Sequence, residues 1–202
     1  MKTAVQTVEV REAILDATDD FLARFGYKKM TIDDLAQAVG IGKGSIYLHF
    51  SSKEEIALSH IDRIIERLKG ELKIIAAEKV SPEERIRRML LKRVLHRFDS
   101  VQHYSQSLND ILSAIRPKFL ARRKTYFEEE AEIFAVVVKE GQKAEIFGGE
   151  NPLEVATMLL LATNSLLPFS LTARELGERD EVEEKTRHLA NLLLNGLLRR
   201  EQ

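Results

Sequence analysis

Apolar residues recur along most of the chain at spacings of three and four positions, as in helices that bury one face. After Ser52 the repeat continues for about six helical turns, and further repeats follow Ser81 and Pro117. No stretch of the sequence alternates apolar and polar residues for long enough to indicate a strand. We therefore predict an all-α fold of about nine helices, one of which opens at Pro117.

Five of the predicted helices begin with the same signature. A short oxygen-bearing side chain stands first and a carboxylate follows three residues later, so that both can accept free N–H groups at the helix start. The helix dipole also favours a carboxylate there. The five pairs are Thr31 with Asp34, Ser52 with Glu55, Ser81 with Glu84, Asn151 with Glu154, and Asp180 with Glu183.

Composition narrows the functional classes. The 202 residues include 31 Lys or Arg and 32 Asp or Glu, a net charge of −1, which excludes a strongly basic, histone-like nucleic-acid binder. The chain contains no Cys, which excludes disulfides, zinc fingers, iron–sulfur clusters and thiol catalysis. Residues 1–15 are charged and lack the apolar core of a secretion signal, so we expect a cytoplasmic protein.

Residues 155–173 form an uncharged stretch that is long enough to cross a membrane. The stretch also contains Pro168 and several hydroxyl and amide side chains. We therefore interpret it as a helix buried against a partner and expect no membrane association.

Residues 31–53 combine a short helix, a glycine-containing turn and a second short helix. The first helix covers residues 31–39 and ends at Gly40, the turn holds Ile41 and Gly42, and the second helix covers about residues 43–50. This arrangement is typical of motifs that place a second helix in the major groove of DNA. The sequence therefore predicts a helix-turn-helix.

Several features within residues 9–58 form one pattern. They are Phe25-Gly26, Thr31 with Leu35-Ala36, Gly40, the run Ser45-Ile46-Tyr47-Leu48-His49-Phe50, and the run Ser52-Lys53-Glu54-Glu55. With these features, residues 9–58 resemble the DNA-binding domain of the TetR (tetracycline-repressor) family. The resemblance implies a homodimeric transcriptional regulator, most often a repressor, that binds a near-palindromic DNA operator and is released by a small molecule. It also implies a DNA-binding domain at residues 1–58 and a larger helical effector-binding and dimerisation domain at residues 59–202.

Lys43 and Lys53 stand at the starts of two predicted helices, where the helix dipole disfavours a cation. We expect Lys43 to read guanine and Lys53 to anchor a phosphate. The resemblance implies that Tyr47 and His49 also contact phosphates. The candidate DNA-binding residues are Thr31, Lys43, Gly44, Ser45, Tyr47, His49 and Lys53.

The charge of the first 60 residues opposes DNA binding, because they carry seven Lys or Arg against nine Asp or Glu, a sum of −2. Affinity for DNA must then come from a local cluster of cations and from helix N-termini, and it should be sensitive to salt. The cluster that we predict consists of Lys28, Lys29, Lys43 and Lys53.

Aromatic and Met residues gathered after residue 80 predict a largely apolar effector pocket within residues 81–176. The expected lining is Met89, Phe98, Tyr104, Phe119, Tyr126, Phe127, Phe134, Met158 and Phe169.

Two long helices, at about residues 152–176 and 181–200, have more apolar surface than one core face needs, which predicts a homodimer interface. The expected interface is Val155, Leu159, Ala162, Leu166, Leu189, Leu193, Gly196 and Leu197.

Two polar groups leave alternatives open. His96, Asp99 and His103 share a helix face and form either a metal or pH-sensitive site or, more simply, a hydrated face. The basic residues around the same helix form either a solvated surface or a site for an anion; they are Arg85, Arg87, Arg88, Lys92, Arg93 and Arg97.

No motif supports the alternative of a helical enzyme, and we expect no catalytic residue, cofactor or bound metal. A purely protein-binding adaptor is the other alternative.

Overall fold

The computed structural model describes residues 2–102, 108–148, 151–168 and 176–197. These residues form nine α-helices, as the apolar spacing predicts, and a short 3₁₀ turn at Asn164–Leu166. The helices are α1 (Lys2–Arg24), α2 (Gly26–Lys29), α3 (Ile32–Val39), α4 (Lys43–His49), α5 (Lys53–Ala76), α6 (Pro82–Val101), α7 (Leu108–Lys143), α8 (Pro152–Thr163) and α9 (Arg179–Leu197).

Four of the five predicted helix caps are present. Thr31 and Asp34 form a reciprocal capping box, in which each side chain accepts the other residue's backbone N–H at 3.1 Å. Ser52 and Ser81 each accept the N–H three residues on, at 3.2 Å, and Asn151 accepts two N–H groups. The fifth prediction is wrong: α9 begins at Arg179, so Asp180 lies within its first turn and Glu178 supplies the first backbone acceptor.

Two predictions about prolines are also wrong. Pro117 does not open a helix but lies inside α7, where its ring fits a helical φ and its solvent-exposed side tolerates the missing N–H donor. The helix expected at residues 152–176 ends at Thr163. Pro168 explains this end, because the residue before a proline is pushed towards extended backbone, and Leu167 has a ψ of 143°.

The helices form two compact units. The first unit contains α1 to α4, α5 up to Ile64, and α7 up to Ala121. Buried side chains come from every one of these segments, and they include Ile14 of α1, Tyr27 of α2, Leu35 of α3, Ile46 of α4 and Ile115 of α7. The two packing units divide within α5 and within α7 rather than between residues 58 and 59. The boundary at residues 58 and 59 therefore stays a prediction about which residues bind DNA.

The second unit contains α5 from Ile65, α6, α7 from Arg122, α8 and α9. Its main core joins Leu72 of α5, Met89 of α6, Phe134 of α7, Leu160 of α8 and Leu194 of α9. All five side chains are fully buried, so each helix contributes one apolar face to the same interior.

A charged cluster lies inside the second unit. Arg93 and Arg97 of α6 both donate to the carboxylate of Glu130 on α7, and all three side chains are buried. Arg93 also donates to the side-chain oxygens of Thr163 and Asn164, each at 2.8 Å. Burial and the neighbouring Arg97 lower the pKa of Arg93 to about 10. The expectation of a fully solvated basic surface is therefore wrong for these two arginines, because Glu130 provides a buried counter-charge.

Arg85 of α6 is buried as well, so a solvated surface is wrong for it too, and it binds Glu140 at 2.6 Å. The remaining basic residues of α6 lie nearer the surface and form ion pairs. Arg87 and Arg88 bind Glu84, and Lys92 binds Glu71 at 2.9 Å. His96 lies 3.6 Å from Glu71, and Asp99 binds Arg179 at 2.9 Å, whereas His103 lies outside the described residues. Among the residues that the structure describes, no cluster of three metal ligands occurs, and no helix has the length and apolarity that a bilayer span needs.

Candidate nucleic-acid interface

The turn between α3 and α4 is built on Gly40, which has a φ of 73°. This left-handed conformation costs a glycine little, and it lets the chain reverse directly after Val39. The N–H of Ile41 donates back to the carbonyl of Ala36 at 2.9 Å, which closes the end of α3. Gly42 is then the N-cap residue of α4, so only Gly40 and Ile41 separate the end of α3 from this N-cap.

Helix α4 has one buried side and one exposed side. Ile46 and the following Phe50 are 0% and 2% exposed and fix the helix to the core of the first unit. Lys43 and Gly44 are exposed, Tyr47 is half-exposed, and Ser45 and His49 are partly exposed. All five predicted DNA-contact residues of α4 are therefore accessible, and no position that we predicted as a contact is buried in the core.

Leu48 is a surface residue of α4 that the sequence pattern did not single out. Its side chain is 84% exposed, although an apolar residue in a short helix is normally expected to face the core. The signal was available, since Leu48 follows Ile46 by two positions and so lies on the opposite side of the helix. An exposed apolar side chain on a DNA-reading helix is suited to the methyl group of thymine.

Gly44 lies in α4 without a packing reason. A Cβ atom built on it would meet nothing within 4 Å, so the intramolecular contacts do not require a glycine here. A glycine within a helix costs about 0.5–1 kcal/mol relative to Ala. The free space lies on the exposed side of α4, where a bare backbone permits the close approach of another molecule.

Lys43 is held by a carboxylate in the structure. Its Nζ donates to Oδ2 of Asp33, in the first turn of α3, at 2.7 Å. Both side chains are exposed, and the hydrogen bond to Asp33 together with its charge raises the pKa of Lys43. The ammonium therefore stays fully charged near neutral pH.

Lys53 makes contacts that its sequence position did not reveal. Its Nζ lies 4.3 Å from the centre of the Tyr27 ring and 3.5 Å from the carbonyl oxygen of Lys28. Burial lowers the pKa of Lys53, and burial together with Glu54 raises the pKa of Tyr27 to about 12. The cation–π contact offsets part of the dipole penalty at the start of α5, so Lys53 stabilises the unit as well as being a candidate phosphate anchor.

Replacing Lys53 with Met removes the charge and keeps an aliphatic stem over Tyr27, so DNA binding reports the anchor role while thermal stability reports the lost cation–π contact. We expect weaker binding to every DNA sequence alike, and a salt dependence of the binding constant that is lower by about one unit per protomer. Binding titrations at several salt concentrations measure this slope. An unchanged slope, with or without a loss of thermal stability, contradicts the anchor role.

The other predicted cations are also accessible, and one of them is paired. Lys28 binds Asp110 of α7 at 2.8 Å, and Lys29 is exposed. Thr31 is exposed, and its hydroxyl is used in the capping box of α3. All four lysines of the predicted cluster belong to the first unit, and carboxylates pair with two of them, Lys28 and Lys43.

The predicted effector residues do not share one location. Met89 and Phe134 lie fully buried in the main core of the second unit, with Phe127 packed at its edge. Phe98 belongs to a neighbouring apolar cluster, and Phe119 lies in the first unit. Met158 is 60% exposed and Tyr126 is partly exposed, whereas Tyr104 and Phe169 lie outside the described residues.

A cleft of about 780 Å³ opens in the second unit between the end of α5, α6 and the start of α9. Its apolar residues are Ile75, Leu91 and Leu95, and its rim includes Arg88 and Arg179. None of the predicted effector residues lines this cleft. The positions of aromatic and Met residues in the sequence could not reveal this cleft, because aliphatic and charged side chains line most of it.

The predicted dimer residues divide between core and surface. Leu159 is buried in the core, Val155 and Leu193 pack against it, and Ala162, Leu166 and Leu189 are partly exposed. Gly196 is exposed, and the side chain of Leu197 lies outside the described residues. Four large apolar side chains that we did not predict at the interface are instead exposed on α8 and α9, namely Leu153, Met158, Leu161 and Leu192.

Comparisons with known proteins agree with this arrangement. Residues 14–59, which include the whole turn and both short helices, match the model of the family described as bacterial regulatory proteins, tetR family. The uncharacterized HTH-type transcriptional regulator YhgD of Bacillus subtilis (strain 168) is 36% identical over 76 residues, 38% of either chain. The chain thus spans less than half the length of this relative. The HTH-type transcriptional repressor KstR2 of Rhodococcus jostii (strain RHA1) is 24% identical over 76% of this chain and 75% of the repressor.

Solved structures show the same fold over almost the whole length. A transcriptional regulator from Cytophaga hutchinsonii superimposes with a TM-score of 0.76 at 22% identity, covering 93% of this chain and 98% of the other. A TetR transcription regulator from Haloarcula marismortui gives 0.75 at 21% identity, covering 95% and 100%. The matched family consists of regulatory proteins, which disfavours the alternative of a helical enzyme. The helix-turn-helix built on Gly40 lies within the match to the tetR family at residues 14–59, and the chain as a whole shares its fold with solved TetR regulators.

Proposed function

We propose that the protein is a DNA-binding transcriptional regulator that acts as a repressor. It binds a near-palindromic operator as a homodimer, and a small molecule releases it from the DNA. The observation that carries the proposal is the two-sided helix α4. Its apolar side is locked into the core by Ile46, and its other side presents a lysine, a bare glycine and a hydroxyl to the outside. A helix held in this way can enter the major groove without rearranging the unit.

The accessible side chains divide into two roles. Lys43 donates to acceptors on a guanine edge, and Ser45 binds a nearby base or phosphate. Leu48 packs against the methyl group of a thymine. Contacts to phosphates position the helix without reading sequence, and they come from the residues around it. The phosphate contacts that we propose are Thr31, Tyr47, His49 and Lys53, with Gly44 allowing close approach.

The dimer that we propose uses the exposed apolar sides of α8 and α9. Met158, Leu161 and Leu192 are each about half-exposed or more, and Gly196 leaves open space beside them. A two-fold contact of these helices with the same helices of a second copy would remove this apolar surface from water. Two copies of α4 must then lie about 34 Å apart to enter successive major grooves.

Release by a ligand requires a second state with a different spacing of the two α4 helices. A ligand that prefers this state lowers the affinity for DNA in proportion to its preference. We propose that the ligand binds within the second unit, where the cleft beside α6 offers a volume of about 780 Å³ suited to a small molecule.

Selection from a library of DNA duplexes with a randomised core of about 20 base pairs tests the function. We expect the protein to enrich a near-palindromic sequence. Replacing Lys43 with Ala should cost roughly 1–3 kcal/mol per half-site on that sequence and relax the choice of one base pair. Titrations on the enriched and a scrambled duplex measure both effects.

Glu145→Ala is a suitable control for the library experiment, because this residue lies in the turn after α7, in the second unit. We expect it to enrich the same sequence as the unaltered protein. A library from which the unaltered protein enriches nothing contradicts the proposed function. Enrichment of an unchanged sequence by Lys43→Ala contradicts the reading role of that lysine alone.

A further inference from the structure

Asp33 places a negative charge beside the side chains that we propose to meet DNA. It lies in the first turn of α3, and its Oδ2 accepts from Nζ of Lys43, the first residue of α4, at 2.7 Å. Both side chains are more than half exposed, so the pair lies on the surface of the first unit. An exposed ion pair of this kind adds at most about 1 kcal/mol to stability.

A carboxylate on a DNA-binding surface carries an energetic cost for every sequence. Phosphates repel it, and residues 1–60 already contain more acidic than basic side chains. Asp33 also occupies one of the three donors of the Lys43 ammonium. A charge that weakens binding to some sequences more than to others raises sequence specificity even though it lowers affinity.

The pairing also limits where the lysine can go. A free lysine has four rotatable bonds and about 2 kcal/mol of rotamer entropy, and it reaches the nearest phosphate easily. Held by Asp33, the Lys43 ammonium stays at the start of α4 and directs its remaining two donors away from the carboxylate. A guanine edge at that place offers two adjacent acceptors, O6 and N7, whereas adenine offers only N7 beside its own N6 donor and thymine only O4.

We propose that Asp33 determines DNA sequence specificity by holding Lys43 on the base edge and by repelling DNA that lacks a matching acceptor. The inference rests on the proposed function of α4 as the helix that reads DNA. It assigns Asp33 a positioning role, since the carboxylate acts through the lysine rather than on a base.

The chain supplies a matched control for this role. Lys28 is paired with Asp110 at 2.8 Å in the same unit, and Lys28 also has an exposed side chain. Lys28 lies outside α4, so its release should change general affinity and leave base reading alone. Asp33→Asn and Asp110→Asn therefore remove the same charge from two lysine partners, of which only Lys43 is placed to read a base.

The test compares two duplexes of about 30 base pairs, one enriched by the unaltered protein and one scrambled. For Asp33→Asn we expect tighter binding to the scrambled duplex and at least about a threefold fall in the ratio of the two affinities. For Asp110→Asn we expect both affinities to change by the same factor. In a Lys43→Gln background, Asp33→Asn should leave the ratio unchanged, because no lysine remains to be held.

Three results overturn the inference: an unchanged or higher ratio in Asp33→Asn, an equal fall in Asp110→Asn, or a fall that persists in the Lys43→Gln background. A parallel loss on both duplexes with a lower melting temperature marks a purely structural Asp33 and also overturns it. Failure of the unaltered protein to prefer any duplex is a separate result, because it contradicts the proposed function itself.

Discussion

We expect Glu130→Ala to lower the melting temperature of the protein by about 6–20 °C. This shift corresponds to a loss of roughly 3–5 kcal/mol in the free energy of unfolding. The change leaves Arg93 and Arg97 with two guanidinium charges inside the second unit and removes the carboxylate that binds both. A buried charge without its partner is far more costly than an exposed one. Thermal unfolding followed by circular dichroism measures the shift.

Glu129→Ala is the matched control, one residue away on the same helix. Glu129 is only partly buried, and its partner Lys69 keeps a second carboxylate, Glu66. We expect a loss of less than about 1 kcal/mol. A Glu130→Ala protein that melts within a few degrees of the Glu129→Ala protein shows that the buried cluster adds little to stability.

Acid titration gives the Glu130 prediction a second readout. Burial by itself raises the pKa of Glu130, but the charges of Arg97 and Arg93 outweigh it, so the net pKa is lowered. A lowered carboxyl pKa contributes stability above its unfolded value, about 4.3, and this contribution is lost as the pH falls through the folded value. We expect the difference in stability between the unaltered protein and Glu130→Ala to shrink as the pH falls below about 4.

Leu161→Asp should convert the proposed dimer into monomers. Leu161 is half-exposed on α8 beside Met158, so a charge there would be buried in the two-fold contact but stays solvated in a free monomer. Loss of the second half-site should weaken operator binding by about 10²-fold or more. Sedimentation velocity measures the oligomeric state, and titration on the enriched duplex measures the affinity.

Ile74→Asp provides the comparison for this experiment, because Ile74 is 69% exposed on α5 and does not belong to either helix of the proposed contact. It should leave the oligomeric state unchanged. Leu193→Asp, which the sequence alone suggests, is less informative, because Leu193 packs against the core and its loss disturbs folding. A dimeric Leu161→Asp protein places the interface elsewhere.

The DNA-binding motif could be predicted from the sequence because its causes are local. Gly40 ends α3 through its own backbone conformation, Thr31 caps α3 through a residue three positions away, and the spacing of Ile46 and Phe50 defines the buried side of α4. Each of these rules acts over less than two helical turns, so the sequence contains all that is needed to apply it.

The faces of the later helices could not be predicted in the same way. Helix α8 is apolar almost all round, and only the packing of α6, α7 and α9 decides that Leu159 is buried and Met158 exposed. The buried arginines present the same difficulty. Nothing in the sequence near Arg93 and Arg97 shows that Glu130, on another helix, is their partner. Contacts between distant segments depend on the tertiary fold.

Helix α7 has a consequence for dissecting the protein into fragments. Three side chains of the first unit's interior, Ile111, Ile115 and Phe119, come from its opening turns, more than 50 positions after the helix-turn-helix ends. A fragment that stops at residue 58 lacks these side chains and uncovers the surface they protect. A chimera that carries the helix-turn-helix on another protein must therefore include the first turns of α7 as a second, separate segment of the chain.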